Sequence, residues 1–255
     1  MVQLHEISWT EAQKIAEKTD VAILPVGSTE QHGPHNPLGT DHLIAAAFAK
    51  VVGDRTGVPV LPVVPVGVSE HHRQFPGTLW VSQNVFREYL LEVALAASSH
   101  GFKKILFFNG HGGNTAALIE VAGILRRNHN IFSAVLMTFP PGVGGHAGIE
   151  ETSMNLYYHG QLVHMERAFD TQQKTALGSI KINGFSRLGS FEYPWDTIDL
   201  TDTGVFGTSG SVIGLKSATR ERGEELMKEF TEEVINTVEE LKKANISELL
   251  SKPYK

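Results

Sequence analysis

Two apolar runs in this chain each lead into a glycine-rich loop and then into a segment with helical spacing. Residues 21–26 precede the loop at 27–39, and residues 103–108 precede the loop at 109–115. Apolar runs of this length are typical of buried strands, and strands that alternate with helices predict parallel βαβ units. We therefore expect an α/β fold with a mostly parallel central sheet covered by helices.

The remaining elements follow from the same patterns. We predict helices over 9–18, 41–52, 82–100, 115–127 and 215–243, and further strands over 58–68 and 131–139. Valine and proline alternate at 58–68, which favours a sheet edge or a bent strand because proline lacks the N–H of a central ladder. Residues 140–213 are richer in glycine and harder to assign. No linker or repeat divides the 255 residues, so we expect a single domain over 1–255.

The composition limits the possible ligands and partners. The chain has no cysteine, so any metal site must be built from nitrogen and oxygen ligands. The formal net charge of −6 argues against a nucleic-acid partner. No apolar run is long enough to span a membrane, and the first residues do not resemble a signal peptide. We expect a soluble cytoplasmic protein.

The loop after the first strand carries a carboxylate, an imidazole and a second carboxylate. Glu30 and His32 are two residues apart, so on an extended chain they project to one face with Cα atoms about 7 Å apart. That span allows them to bind two neighbouring metal ions, and Asp41, at a helix start, could bridge the ions. The alternatives are a solvated loop for Glu30 and His32 and ordinary helix capping for Asp41.

The second loop contains His111 within Asn-Gly-His-Gly-Gly-Asn. It lies between a buried strand and a helix, and a nearby helix N-terminus disfavours the imidazolium form and keeps His111 available as a ligand. The alternative is a glycine loop that binds an anion through backbone N–H groups. The loop matches neither the dinucleotide fingerprint nor the P-loop pattern.

Two further segments combine histidine with other polar residues. His146 precedes Glu150 and Glu151 at the start of a short helix, where acids are also favourable for purely structural reasons. His71 and His72 are adjacent, so we expect at most one of them to point into a given site. Five other histidines have no such setting and are predicted to be structural or exposed: His5, His100, His129, His159 and His164.

Together these motifs resemble the creatininase (creatinine amidohydrolase) family. The matching segments lie at 27–33, Asp41, 75–78, 109–114 and 146–153. The resemblance implies a layered α/β/α fold, a homo-oligomer such as a hexamer, and an amidohydrolase with two divalent ions (zinc, manganese or iron). It further implies that Glu30 and His111 bind one ion, that His32 binds the other, and that Asp41 bridges them.

The same resemblance assigns the remaining site residues. It implies that His146 is the catalytic histidine and that Glu151 is the acid beside it. We expect Gly112, Gly113 and His72 to contact the substrate. In creatininase an acid stands at the position of Gly113 and binds the second metal, so either Glu151 replaces that ligand or the second ion binds weakly.

The expected substrate is a small amide with a non-peptide C–N bond. Family relatives suggest a formamide, such as the pyrimidine ribotide deformylated in archaeal flavin and deazaflavin synthesis, or a cyclic amide, as in creatinine to creatine. No tryptophan lies between residues 140 and 194, where creatininase closes over its substrate. Arg73 is a candidate phosphate contact or a plain surface residue. The alternative function is a non-catalytic phosphate- or nucleotide-binding module that uses the glycine-rich loops.

Overall fold

A computed structural model describes residues 3–207 and 210–250. Its central sheet contains three parallel strands in the order β1, β2, β3, which are Val21–Val26, Lys104–Asn109 and Phe132–Met137. Val21 pairs with Lys104, and Lys104 pairs with Phe132. The valine–proline segment forms only isolated bridges at Val60 and Val64 along the outer edge of β1, as the missing proline N–H groups require.

Eight α-helices accompany the sheet among the described residues. They are α1 (Trp9–Ala16), α2 (Thr40–Thr56), α3 (Gln83–Ser99), α4 (Thr115–His129), α5 (Ile149–His159), α6 (Thr197–Leu200), α7 (Arg220–Lys243) and α8 (Ile246–Leu249). Short 3-10 turns include Glu70–His72 and Gly112–Asn114.

Alternate residues of β1 point to opposite faces of the sheet and enter two separate cores. Ala22, Leu24 and Val26 pack with the residues of α3 and α4. Val21 and Ile23 pack with α2, α5 and α7. Helices therefore cover both faces, and the predicted α/β/α sandwich is confirmed. No helix in the described residues is long and apolar enough to cross a membrane.

Helix boundaries follow local capping chemistry. The helix predicted over 41–52 continues to Thr56 and ends at Gly57, whose φ of 71° suits glycine. The final long helix begins at Arg220, later than the predicted residue 215. Thr219 caps it by accepting a hydrogen bond from the N–H of Arg222, and Leu215–Ser217 forms a separate 3-10 turn.

The segment without clear periodicity forms two small antiparallel sheets. One pairs β4 (Thr171–Gln172) with β9 (Ser211–Val212). The other contains β5 (Ala176–Leu177), β6 (Ile180–Asn183), β7 (Arg187–Leu188) and β8 (Phe191–Glu192). Such short strands carry too little periodicity to be recognised in the sequence.

Candidate metal centre

The site lies where β1 and β2 end and α2 begins. Gly27 follows β1 and Gly110 follows β2, and both pack directly against the backbone at the start of α2. A Cβ atom at Gly27 would overlap the backbone of Asp41 and His42, and one at Gly110 would overlap the backbone of Asp41. The two glycines thus allow the first turn of α2 to approach both loops, which places the Asp41 side chain between them.

Glu30, Asp41 and His111 form the first group of metal-ligand atoms. His111 Nδ1 lies 3.2 Å from Glu30 Oε1 and 3.1 Å from Asp41 Oδ2. All three residues are buried, and one ligand atom from each lies within 4.8 Å of the others. The structure therefore brings together the residues that the sequence assigned to one ion and to the bridge.

His32, Asp41 and Glu151 form the second group. His32 Nε2 lies 3.0 Å from Asp41 Oδ1 and 3.6 Å from Glu151 Oε1. Asp41 thus directs one carboxylate oxygen to each group. Glu151 comes from the first turn of α5 and brings a carboxylate to this group.

These two groups fit divalent ions. With metal–ligand distances of about 2.0–2.2 Å, two ligands of one ion lie about 3.0–3.5 Å apart, which matches the separations above. Both oxygens of Glu30, Oδ2 of Asp41 and Nε2 of His32 are buried without an aligned hydrogen-bond partner. Buried polar atoms normally have such partners, so these atoms have the donor chemistry of a metal site.

The two histidines are oriented as metal ligands. His32 Nδ1 lies 3.1 Å from the carbonyl oxygen of Glu30, and His111 Nε2 lies 3.1 Å from the carbonyl oxygen of Val68. A carbonyl only accepts, so each of these outer nitrogens carries a proton. The other nitrogen of each ring faces the carboxylates, and a backbone carbonyl holding the outer nitrogen is the usual support of a metal-ligating histidine.

The electrostatics of the cluster show how strongly it attracts positive charge. Burial raises the pKa of Glu30, but His111 and His72 outweigh burial and hold it well below its usual range. Burial lowers the pKa of His111, but Glu30 and Asp41 outweigh it and raise the pKa to about 10. Without a metal ion the carboxylates hold protons on the rings, so metal binding releases protons.

His146 forms a third candidate ligand group with Glu30 and His32, and it stands on a strained loop. Its backbone pairs with Phe206 in both directions, and the next residue, Ala147, has a φ of 54°. The N–H of Ala147 donates to Glu151 Oε2, which fixes the second-group carboxylate. Burial lowers the pKa of His146, and His32 and His72 lower it further, so the ring is neutral.

His72 also reaches the cluster, with Nε2 3.1 Å from Glu30 Oε1. His71 stacks against His111 at a ring-centroid distance of 5.5 Å and lines the same cavity. The expectation that at most one of the adjacent histidines reaches a site is therefore too strict. The 3-10 turn at Glu70–His72 directs both rings toward the cluster.

An open cavity of about 590 Å³ leads to the cluster. Its aromatic wall comes mainly from the segment that sequence periodicity did not resolve: Phe185, Tyr193, Trp195 and Phe206. Gly112 and Gly113 line the cavity near His111. A second cavity of about 650 Å³, beside α1 and lined mainly by apolar side chains, contains none of the ligand residues.

Gly113 occupies a position where no side chain fits. A Cβ atom there would overlap His111 Nε2 and the carbonyl oxygen of Val68, whereas Gly112 has open space around it. The hydrogen bond that orients His111 therefore excludes a ligand side chain at 113.

The five histidines predicted to be structural or exposed are not among the described residues that line the 590 Å³ cavity.

Sequence reasoning missed two residues of the site. Gln31 contacts His72 and His146, and Thr197 Oγ1 lies 2.8 Å from His72 Nδ1. Gln31 stands inside the Glu-Gln-His motif, so its position was a usable signal. Thr197 is at the start of α6, far along the chain, and no local pattern marks it.

Comparison with known proteins agrees with this geometry. Residues 5–238 match the model of the creatininase family, described as creatinine amidohydrolase. The chain belongs to the creatininase family. This confirms the resemblance inferred from the motifs.

The names of individual relatives refer to different substrates. A mycofactocin precursor peptide peptidase of Mycolicibacterium smegmatis is 38% identical over 152 residues, covering 57% of this chain and 61% of that protein, less than two thirds of its length. The creatinine amidohydrolase of Pseudomonas putida is 24% identical over 264 residues, covering 92% and 95%. A crystal structure of creatininase has a TM-score of 0.79 at 23% identity over 96% of this chain and 99% of the other, which establishes the fold.

Proposed function

We propose that this chain is a metal-dependent amidohydrolase that cleaves the C–N bond of a small amide without a phosphate group. The observation that carries the proposal is the pair of ligand groups that share Asp41, buried except for the partly buried Glu151, at the base of an open cavity. Glu30, Asp41 and His111 would hold one divalent ion, and His32, Asp41 and Glu151 the other. Membership of the creatininase family supports the same reaction class.

The ligand chemistry suits zinc, manganese or iron, since it combines imidazole nitrogen with carboxylate oxygen. Solved creatininases of this fold are described as a Zn–Zn type and as a manganese form. When bound, such ions supply Lewis acidity, which lowers the pKa of water and polarises a carbonyl group.

His146 is the residue we assign to proton transfer. Its Nδ1 lies 3.8 Å from Glu30 Oε1, and its ring forms part of the cavity lining. A neutral imidazole can take up a proton and then deliver it to the leaving nitrogen, which an amide requires because an amide anion is a poor leaving group. Glu151 accepts from the N–H of Ala147 and so holds the loop of His146 in place.

The cavity lining favours a substrate without phosphate. Among the described residues that line it there is no lysine or arginine. Arg73, the sequence candidate for a phosphate contact, lies 2.6 Å from Asp196, and Arg187 lies 2.7 Å from Glu192. Both cations are therefore paired with carboxylates, and the mainly aromatic wall of the cavity offers no lysine or arginine side chain to a phosphate group.

The composition of this lining ranks the candidate substrates by whether they carry a phosphate group. A simple formamide, or a cyclic amide such as creatinine, carries no phosphate and suits the cavity. The pyrimidine ribotide formamide carries a phosphate for which the described lining offers no lysine or arginine. The same observation gives no support to a non-catalytic phosphate- or nucleotide-binding module.

Metal analysis and a substrate panel test the proposal. Protein as purified is expected to hold about two divalent ions per chain. The panel contains formamides, lactams including creatinine, and short peptides, each with and without a phosphate group, and released acid or amine is measured. Chelation should abolish hydrolysis, and zinc, manganese or iron should restore it. Full hydrolysis by the chelated protein, or no metal binding at any added concentration, would refute it.

A further inference from the structure

Gln31 lies between the two histidines that flank the ligand groups. Its side-chain nitrogen Nε2 lies 2.8 Å from His72 Nδ1, 2.9 Å from His146 Nε2 and 3.1 Å from the carbonyl oxygen of Gly204. The residue is only 5% exposed. Three possible acceptors thus surround a nitrogen that has two hydrogens to donate.

Two backbone groups fix the orientation of this amide. The N–H of Gly33 can only donate, and it lies 3.0 Å from Gln31 Oε1. The carbonyl of Gly204 can only accept, and it faces Nε2. Exchanging the oxygen and nitrogen would place like groups together at both contacts. Gly204 has a φ of 78°, and a Cβ atom there would overlap the carboxamide, so glycine is needed at this position.

The distances then decide where the protons lie. One hydrogen of Gln31 Nε2 goes to Gly204, and the other is available to a histidine. His146 Nε2 also lies 2.7 Å from the backbone carbonyl of Gln31, which only accepts, so that nitrogen carries a proton. The second hydrogen of Gln31 therefore goes to His72 Nδ1, which must be bare.

The reverse assignment, in which His146 Nε2 is bare and His72 Nδ1 carries a proton, is less favourable. It places a bare His146 Nε2 against the carbonyl oxygen at 2.7 Å and two N–H groups together at the 2.8 Å contact with His72. The chosen assignment leaves only one contact of like polarity, the 2.9 Å contact between the side-chain nitrogens of Gln31 and His146.

We propose that Gln31 is a positioning residue that sets the tautomers of both flanking histidines. Its side chain leaves His72 protonated on Nε2, 3.1 Å from Glu30 Oε1. Its backbone carbonyl leaves His146 with a bare Nδ1 on the side of Glu30, where a base is needed. The catalytic consequence rests on the proposed function, whereas the tautomers themselves do not.

Nitrogen-15 NMR of histidine-labelled, zinc-loaded protein tests the proposal directly. The chemical shifts separate protonated from bare ring nitrogens, and His72→Gln and His146→Gln assign the signals. Wild-type protein should show both rings protonated on Nε2. In Gln31→Glu the donor is replaced by a carboxylate that only accepts, so His72 should take up a proton on Nδ1, while Glu30 Oε1, which also accepts, retains the proton on Nε2. His146 should stay unchanged, because a backbone carbonyl holds its proton.

Two further variants serve as matched controls. Thr197→Val removes the only other described side chain that is hydrogen-bonded to His72 Nδ1 and should leave the His72 tautomer as in wild type. Gln161→Glu makes the same substitution at an exposed site and should change nothing. A His72 proton on Nδ1 in wild type, an unchanged His72 in folded Gln31→Glu, or a switch in Thr197→Val would each overturn the proposal. The wild-type and Thr197→Val results decide the matter if Gln31→Glu does not fold.

Kinetics on the best substrate of the panel then connect the tautomers to function. Gln31→Glu should lower kcat about 10- to 100-fold, as is usual when the support of a metal or catalytic group is removed, with little change in KM. The NMR result stands even if no substrate is found, so failure of the proposed function and failure of this assignment remain distinguishable. A His72 that gains the proton on Nδ1 with unchanged kcat would overturn the catalytic part.

Discussion

His35 allows a quantitative test of how the residues around a buried histidine keep its ring neutral. It is fully buried, and its Nε2 lies 2.9 Å from Thr152 Oγ1 and 3.1 Å from Asn36 Nδ2. The amide nitrogen of Asn36 only donates, so a protonated Nε2 would face another donor. Burial and, to a smaller extent, the neighbouring His32 lower the pKa of His35 to about 4.

The direction of the pH effect on stability follows from the difference between the pKa of His35 in the folded and in the unfolded chain. In the unfolded chain His35 has the ordinary pKa of 6.5. Between pH 6.5 and 4 His35 therefore binds a proton in the unfolded state but not in the folded state. Stability is therefore lost as the pH falls through this window. A pKa difference of about 2.5 corresponds to about 3 kcal/mol in the free energy of unfolding.

The assay is urea unfolding of metal-free protein at pH values from 7 to 4, with linear extrapolation to water. His35→Gln keeps a polar group but cannot be protonated. The variant should be less stable near neutral pH and should lose about 3 kcal/mol less than wild type on acidification. His5→Gln, at an exposed histidine, controls for the substitution itself. Parallel stability curves for wild type and His35→Gln would show that the buried ring is not held neutral by its surroundings.

Three further predictions concern the metal centre and assembly. Gly113→Ala should displace His111 and weaken zinc binding about 10- to 100-fold in calorimetric titration, whereas Gly112→Ala, which has room for the methyl group, should bind as wild type. Glu151→Gln should bind one ion per chain where wild type binds two, and Glu150→Gln should keep both; equal metal content in the two variants would contradict the assignment of Glu151. We also propose a homo-oligomer such as a hexamer, and light scattering at the monomer mass of 27.9 kDa would refute it.

The sequence predicted the parts of the structure that rest on local periodicity. The apolar runs of β1 and β2 and the spacing in α2 mark a sheet with helices on both faces. The resemblance to the creatininase family implied that Glu30 and His111 bind the same ion. The structure brings them within 3.2 Å.

The remaining features depend on tertiary placement. Whether Glu151 reaches His32 depends on how α5 packs against α2 and α7, which spacing alone does not determine. The aromatic wall with Trp195 comes from turns and loops around strands of two to four residues, which are too short for a periodic signal. Gln31 was overlooked because its role requires Gly204, 173 positions later in the chain.

The two glycines that touch the first turn of α2 have a consequence for how this enzyme class diversifies. Main chain meets main chain at Gly27 and Gly110, so Asp41, which both ligand groups share, is held at two points by backbone contact. The cavity walls at 185–195 come instead from turns and loops around short strands. We expect substitutions in those walls to change substrate preference without moving Asp41.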